Sequence, residues 1–135
     1  MADKNDAVQA IRNAIDLFHA GDLDGFRDSW TKTGVVIIDD FFPFIWSGEG
    51  ALVSWMADAS AYMGEFTEPS VKTGDPVNVV VDRNAAAVVI PVVITYSRDG
   101  VDYRQDGVQF YALQKQGDNW KLQSMTHSGP PAVPA

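Results

Sequence analysis

The chain has 135 residues, no cysteine, and a net charge of −8 from 18 acidic and 10 basic side chains. The missing cysteine excludes a disulfide scaffold, a thiol nucleophile and thiolate-held zinc or iron–sulfur clusters, and the acidic balance argues against nucleic acid or an anionic membrane as partner. With 46% hydrophobic residues, the length suits one domain with a real core.

The N-terminus, Met1 to Asp6, is polar and mixed in charge, without the basic start and apolar run of a secretory signal. The longest apolar stretch, 85–94, contains Pro91 and is too short to cross a bilayer as a helix. These features predict a soluble, cytoplasmic protein. Val8, Ile11, Ile15 and Phe18 recur at helical spacing and predict an amphipathic helix ending at Gly21. His19 falls in its last turn, where an imidazolium suits the helix dipole. Asp22 then caps a short second helix with Leu23, Phe26 and Trp30 on its apolar side.

The period changes at Gly34. Val35-Val36-Ile37-Ile38 is β-branched throughout and predicts a strand leading into Asp39-Asp40-Phe41-Phe42. After Ser47-Gly48, the apolar face Leu52, Trp55, Met56, Ala59, Tyr62 and Met63 marks a third helix, stopped by Gly64. The rest reads as strands: 77–81, 86–96, 101–115 with a bulge at Asp106-Gly107, and 120–127. Arg98-Asp99-Gly100 and the 116–119 segment are the turn signals between them. Residues 129–135 hold three prolines and no charged side chain, and predict an extended or disordered tail beyond a single domain over 1–128.

Val88, Val89, Ile90, Val92, Val93 and Ile94 are apolar on both faces of one strand. Both faces must then be covered, by a second copy of the chain or by a curled sheet within one copy. Helices followed by antiparallel strands make an α+β fold. A strongly bent antiparallel sheet wrapped by about three N-terminal helices gives a cone with a pocket at its mouth.

This order of elements resembles the nuclear transport factor 2-like superfamily, which includes ketosteroid isomerases, scytalone dehydratase and polyketide cyclases. The resemblance rests on Ala20-Gly21-Asp22-Leu23-Asp24-Gly25-Phe26 as the link between the first two helices, and on the strand from Val35 to Asp39. It rests also on Gly48 before the third helix and on the closing hairpin Gly117-Asp118-Asn119-Trp120-Lys121-Leu122. It implies a pocketed α+β cone, frequent homodimers and no single reaction.

Asp39 and Asp40 follow the β-branched run and precede two phenylalanines, so burial there would raise a carboxylate toward general-base values. Neighbours on a strand point apart, and the residues alone leave open which one faces the pocket. The resemblance favours Asp39: the isomerases carry their proton-shuttling aspartate nine residues before the glycine of the third helix, here Gly48. The isomerases' remaining machinery is absent. Their helical tyrosine corresponds to Ala14, and their protonated aspartate falls in Val108-Gln109-Phe110-Tyr111-Ala112, which has no acid. Tyr111 or Gln109 is left to substitute.

His127 is the other candidate, because dehydratase-type members pair histidine with aspartate on pocket strands. Strict alternation from Trp120 and Leu122 would point His127 outward. Trp46, Trp55, Tyr62, Met63 and Tyr96 are candidate ligand contacts or core. No histidine pair suggests a metal site, and no motif calls for a cofactor. The expected partner is a small apolar organic molecule, within a homodimer formed through the sheet. Two functions stay open: cofactor-free acid–base isomerisation, dehydration or cyclisation, or ligand binding and dimeric interaction without catalysis.

Overall fold

The structure, a computed structural model, describes residues 2–135. Helix α1, Ala2–His19, buries Ala7, Val8, Ile11 and Ala14 against the sheet. Gly21 ends it at φ +79°, a left-handed conformation that a glycine adopts without a Cβ penalty. Helix α2, Leu23–Asp28, starts where the Asp22 carboxylate accepts from the Gly25 N–H at 3.0 Å. Strand β1 is Val36–Ile38, and β2, Ile45–Trp46, folds back on it. Helix α3 is Ala51–Met63, followed by β3, Thr67–Thr73. The C-terminal half holds β4, Asn78–Asp82, β5, Ala85–Arg98, β6, Val101–Gln116, and β7, Asn119–Ser128. A two-residue β8, Val133–Pro134, closes the order.

The class is α+β. The eight strands form one curved, unclosed sheet, ordered β2-β1-β7-β6-β5-β3, with β4 on β5 and β8 on β6. It is mixed rather than purely antiparallel, because β1 runs parallel to β7. Strands β5 and β6 pair without a break from Ala85↔Gln114 to Arg98↔Val101, through a turn with Asp99 and Gly100 both at positive φ. The bulge expected at Asp106-Gly107 is therefore absent from that pairing. The register shifts instead on the other side of β6, where Ala112 faces Ser124 and Leu113 faces Leu122. Gln123 is the extra residue, and it reverses the side-chain parity of β7.

Three strands escape the sequence pattern. Strand β3 reads Thr-Glu-Pro-Ser-Val-Lys-Thr, polar and interrupted by Pro69. It ends the strand order, the position where a proline costs no ladder bond. Strand β2 is too short to carry a period. Strand β8 lies in the Pro-rich tail, where Tyr103↔Pro134 and Arg104↔Val133 pair and the Ala135 N–H donates to the Asp102 carbonyl at 2.9 Å. That tail is extended and docked on β6.

Ile11, Ile37, Val88, Ile90, Val92, Leu113 and Leu122 are the largest fully buried side chains. Each contributes about 1.5–3 kcal/mol of apolar burial. Within β5, Val88, Ile90 and Val92 fill the inner face, while Val89, Pro91 and Val93 are half-buried on the other. Phe110, Val36, Ile38 and Val80 are exposed.

Candidate active site

Helices on one side and sheet on the other enclose a cavity of about 450 Å³. Phe18, Phe26, Trp30 and Trp55 give it an aromatic floor, with Phe26 centred 5.9 Å from Trp55 and Phe18 centred 5.3 Å from Trp55. A run of rings continues through stacked Phe41 and Tyr62, 4.6 Å apart, and stacked Phe66 and Tyr96, 3.9 Å apart. These walls suit apolar contact, and the polar groups gather at one end.

The polar end is built by strand alternation. On β6, Gln105, Gly107, Gln109, Tyr111 and Leu113 take the inner face, each two residues from the last. On β7, Trp120 and Leu122 point inward, and after the bulge Met125 and His127 do. His127 is therefore buried at the cavity and not outward, as unbroken alternation would have it. Gly107 makes room for it: a Cβ there would meet His127 Cε1 at 2.8 Å.

Five side chains are linked in series. The Tyr111 hydroxyl donates to Gln109 Oε1 at 2.6 Å, and Gln109 Nε2 lies 3.2 Å from His127 Nδ1. His127 Nε2 lies 2.9 Å from Gln105 Oε1 and 3.6 Å from Asp40 Oδ2. Gln105 Nε2 donates to Asp40 Oδ2 and to the Pro130 carbonyl, both at 2.9 Å.

Asp39 and Asp40 both border the cavity. The chain leaves β1 at Ile38, so strand alternation no longer separates the two carboxylates. Asp39 Oδ1 accepts from the Asp40 N–H at 2.8 Å, and Oδ2 accepts from the Trp55 indole N–H at 3.1 Å. Burial pushes the Asp39 carboxyl above the usual carboxylate range, against the pull of those two N–H groups. Asp40's charge adds to the rise. Burial likewise raises Tyr111, well above an ordinary phenol, and also Tyr62 and Tyr96. His19 borders the cavity, and burial lowers its pKa against the opposing charge of Asp16, which disfavours the imidazolium suggested by its place in the helix.

Of the residues singled out from the sequence, Asp39, His127, Tyr111, Trp55, Tyr62, Met63, Tyr96 and Gln109 border this cavity. Trp46 does not. It pairs with Ile37 on the hairpin, packs against Phe41 at 5.1 Å and donates its indole N–H to Asp58 Oδ2 at 2.8 Å. Gln105, Tyr103 and Phe66 border the cavity without having been singled out. The legible signal for Gln105 was its spacing: Gln105, Gly107 and Gln109 alternate along one strand face. Among the described residues no group of three or more His, Cys, Asp or Glu could hold a metal ion. Among them, too, no helix is long and apolar enough to cross a membrane.

No protein-family model matches the chain, and no curated protein matches it. Solved structures do. A candidate dehydratase of the NTF2-like family from Streptomyces avermitilis superposes with a TM-score of 0.78 at 19% identity, covering 96% of this chain and 97% of its own. A candidate scytalone dehydratase from Novosphingobium aromaticivorans gives 0.78 at 13% identity, covering 100% of this chain and 92% of its own. An NTF2-like protein with a cystatin-like fold, from the same species, gives 0.74 at 13%, covering 95% and 82%. The resemblance read from the helix link, Gly48 and the closing hairpin thus holds in three dimensions: the chain has the cystatin-like α+β fold of the nuclear transport factor 2-like superfamily.

Proposed function

We propose that the cavity binds a small, largely apolar organic molecule bearing a carbonyl group, and that Asp39 acts on it as a base without a cofactor. The observation that carries this reading is a half-buried carboxylate at the wall of an aromatic cavity, its pKa raised by burial. Each Asp39 oxygen accepts one hydrogen bond and keeps a lone pair for a proton. Asp39 takes a proton from the carbon beside the carbonyl, and the electron pair moves onto the carbonyl oxygen. Returning the proton from Asp39 to another carbon isomerises the molecule; giving it to a departing β-hydroxyl releases water and dehydrates it; giving it to the alkoxide formed when the enolate attacks a second carbonyl completes a cyclisation. His127 and Tyr111 assist, His127 directly at the cavity's polar end and Tyr111 through Gln109. Trp55, Tyr62, Met63, Tyr96 and Gln109 contact the ligand.

The half-buried outer face of β5, with exposed Phe110 beside it, supports a homodimer through the sheet. Light scattering at micromolar concentration is expected to give twice the chain mass, and a monomer would reject that part. The test of function is turnover of a panel of enones, β-hydroxyketones and polyketide-like ketones by wild type and Asp39→Asn. A positioned base contributes about 10²–10⁴-fold, and a loss of that size is expected. Equal turnover by the two proteins would refute Asp39 as the base. A second reading, binding without turnover, is supported by the fact that both Asp39 oxygens are already engaged. It predicts tight apolar ligands and no wild-type turnover of any panel member.

A further inference from the structure

Gln105 sits between an imidazole and two groups that only accept hydrogen bonds. Its Nε2 donates to the Pro130 carbonyl and to Asp40 Oδ2, both at 2.9 Å. A main-chain carbonyl has no hydrogen to give, and neither has an ionised carboxylate. The amide therefore has one orientation, with its NH2 toward these oxygens and its Oε1 toward His127 Nε2 at 2.9 Å. An oxygen at that distance requires a hydrogen on Nε2. The far side of the ring adapts, because Gln109 facing Nδ1 is set by the Tyr111 hydroxyl, which can donate or accept.

The two anchors of Gln105 differ. The Asp40 side chain is 40% exposed and free to turn to water. The Pro130 carbonyl is main chain, held by the pairing of β8 with β6 and by the Ala135 N–H on the Asp102 carbonyl. Gly129 lets the tail come in this close: a Cβ there would meet the Asp106 carbonyl oxygen at 2.8 Å.

We propose that Gln105 is a positioning residue that keeps the neutral His127 ring protonated on Nε2, and that the docked C-terminal segment, through the Pro130 carbonyl, holds Gln105 in that role. The consequence rests on the proposed function. A ring protonated on Nε2 gives its one N–H to Gln105 Oε1 and has no lone pair there to act as a base. Proton abstraction then falls to Asp39. No proton leaves the ring: the one Asp39 removes from carbon is the one it returns.

The tautomer is read from long-range proton–nitrogen spectra of the ¹⁵N-labelled free protein, with His19→Gln leaving His127 as the one imidazole. The full chain is expected to show a bare Nδ1 and a protonated Nε2. Gln105→Met in the full chain, and a chain ending at Ser128, are each expected to lose the single tautomer to a mixture with the Nδ1–H form. An Nδ1–H ring in the full chain, or an unchanged tautomer in Gln105→Met, overturns the positioning role. An unchanged tautomer in the shortened chain overturns the part assigned to the tail, and if that chain does not fold, Pro130→Gly with Val133→Pro in the full chain takes its place. The spectra need no substrate, so they fail independently of the turnover of Asp39→Asn, which decides the proposed function.

Discussion

Gly107→Ala tests how tightly the polar end is built. Gly107 lies on the inner face of β6 between Gln105 and Gln109. A Cβ there would stand 2.8 Å from His127 Cε1 and 3.1 Å from the Ser128 carbonyl oxygen. Carbon atoms settle no closer than about 3.5 Å, so the ring must retreat by about 0.7 Å. That displacement strains the 2.9 Å contact of His127 Nε2 with Gln105. Overpacking of this kind costs about 1–3 kcal/mol, which for a chain of this size lowers Tm by roughly 4 °C per kcal/mol. Urea unfolding of the wild type, Gly107→Ala, His127→Ala and the double variant isolates the cause. With the ring removed, the alanine methyl enters the space it leaves, and only the Ser128 contact remains. The coupling is expected to exceed about 0.5 kcal/mol, the usual limit of additivity. An equal cost of Gly107→Ala in both backgrounds would refute the claim that this glycine exists to admit His127.

Two further predictions concern the base and the core. Trp55→Phe removes the indole N–H from Asp39 Oδ2, a bond that favours the ionised carboxylate and lowers its pKa. The Asp39 pKa must therefore rise further, and because the base works ionised, the acidic limb of the kcat/KM profile moves to higher pH; a limb that stays or falls contradicts the assignment. Leu122→Ala, at a site 1% exposed, is expected to cost about 2–5 kcal/mol in denaturant unfolding, and a cost under about 1 kcal/mol would show that the core is not centred there.

Much of the fold was legible because its long elements carry clean periods. Ile11 and Ala14, like Trp55 and Ala59, repeat at helical spacing, and the 85–98 and 101–116 strands meet at an Asp-Gly turn. Strand β3 was not legible, since its polar residues and Pro69 satisfy an edge position that asks for no apolar face. The site was legible where the sequence marks burial of charge, as at Asp39. The orientation of His127 was not, because Gln123 forms its bulge without the glycine that would advertise one, and one extra residue reverses every side chain after it. Trp46 was misplaced for a related reason: a two-residue strand fixes which way the ring turns through its partner Ile37, and that pairing leaves no local trace. The spacing of Gln105, Gly107 and Gln109 marks a common strand face, but the role of Gln105 depends on a carbonyl 25 residues away, which leaves no local trace.

Removal of a proton from the carbon beside a carbonyl by Asp39 is the central claim, and hydrogen exchange measures it without knowledge of the natural substrate. A ketone that binds the cavity is incubated in deuterium oxide with wild type or Asp39→Asn, and deuterium at that carbon is followed by NMR. The account predicts enzyme-dependent incorporation by the wild type and a loss of about 10²–10⁴-fold in the variant with binding retained. Incorporation at the same rate by Asp39→Asn would contradict it.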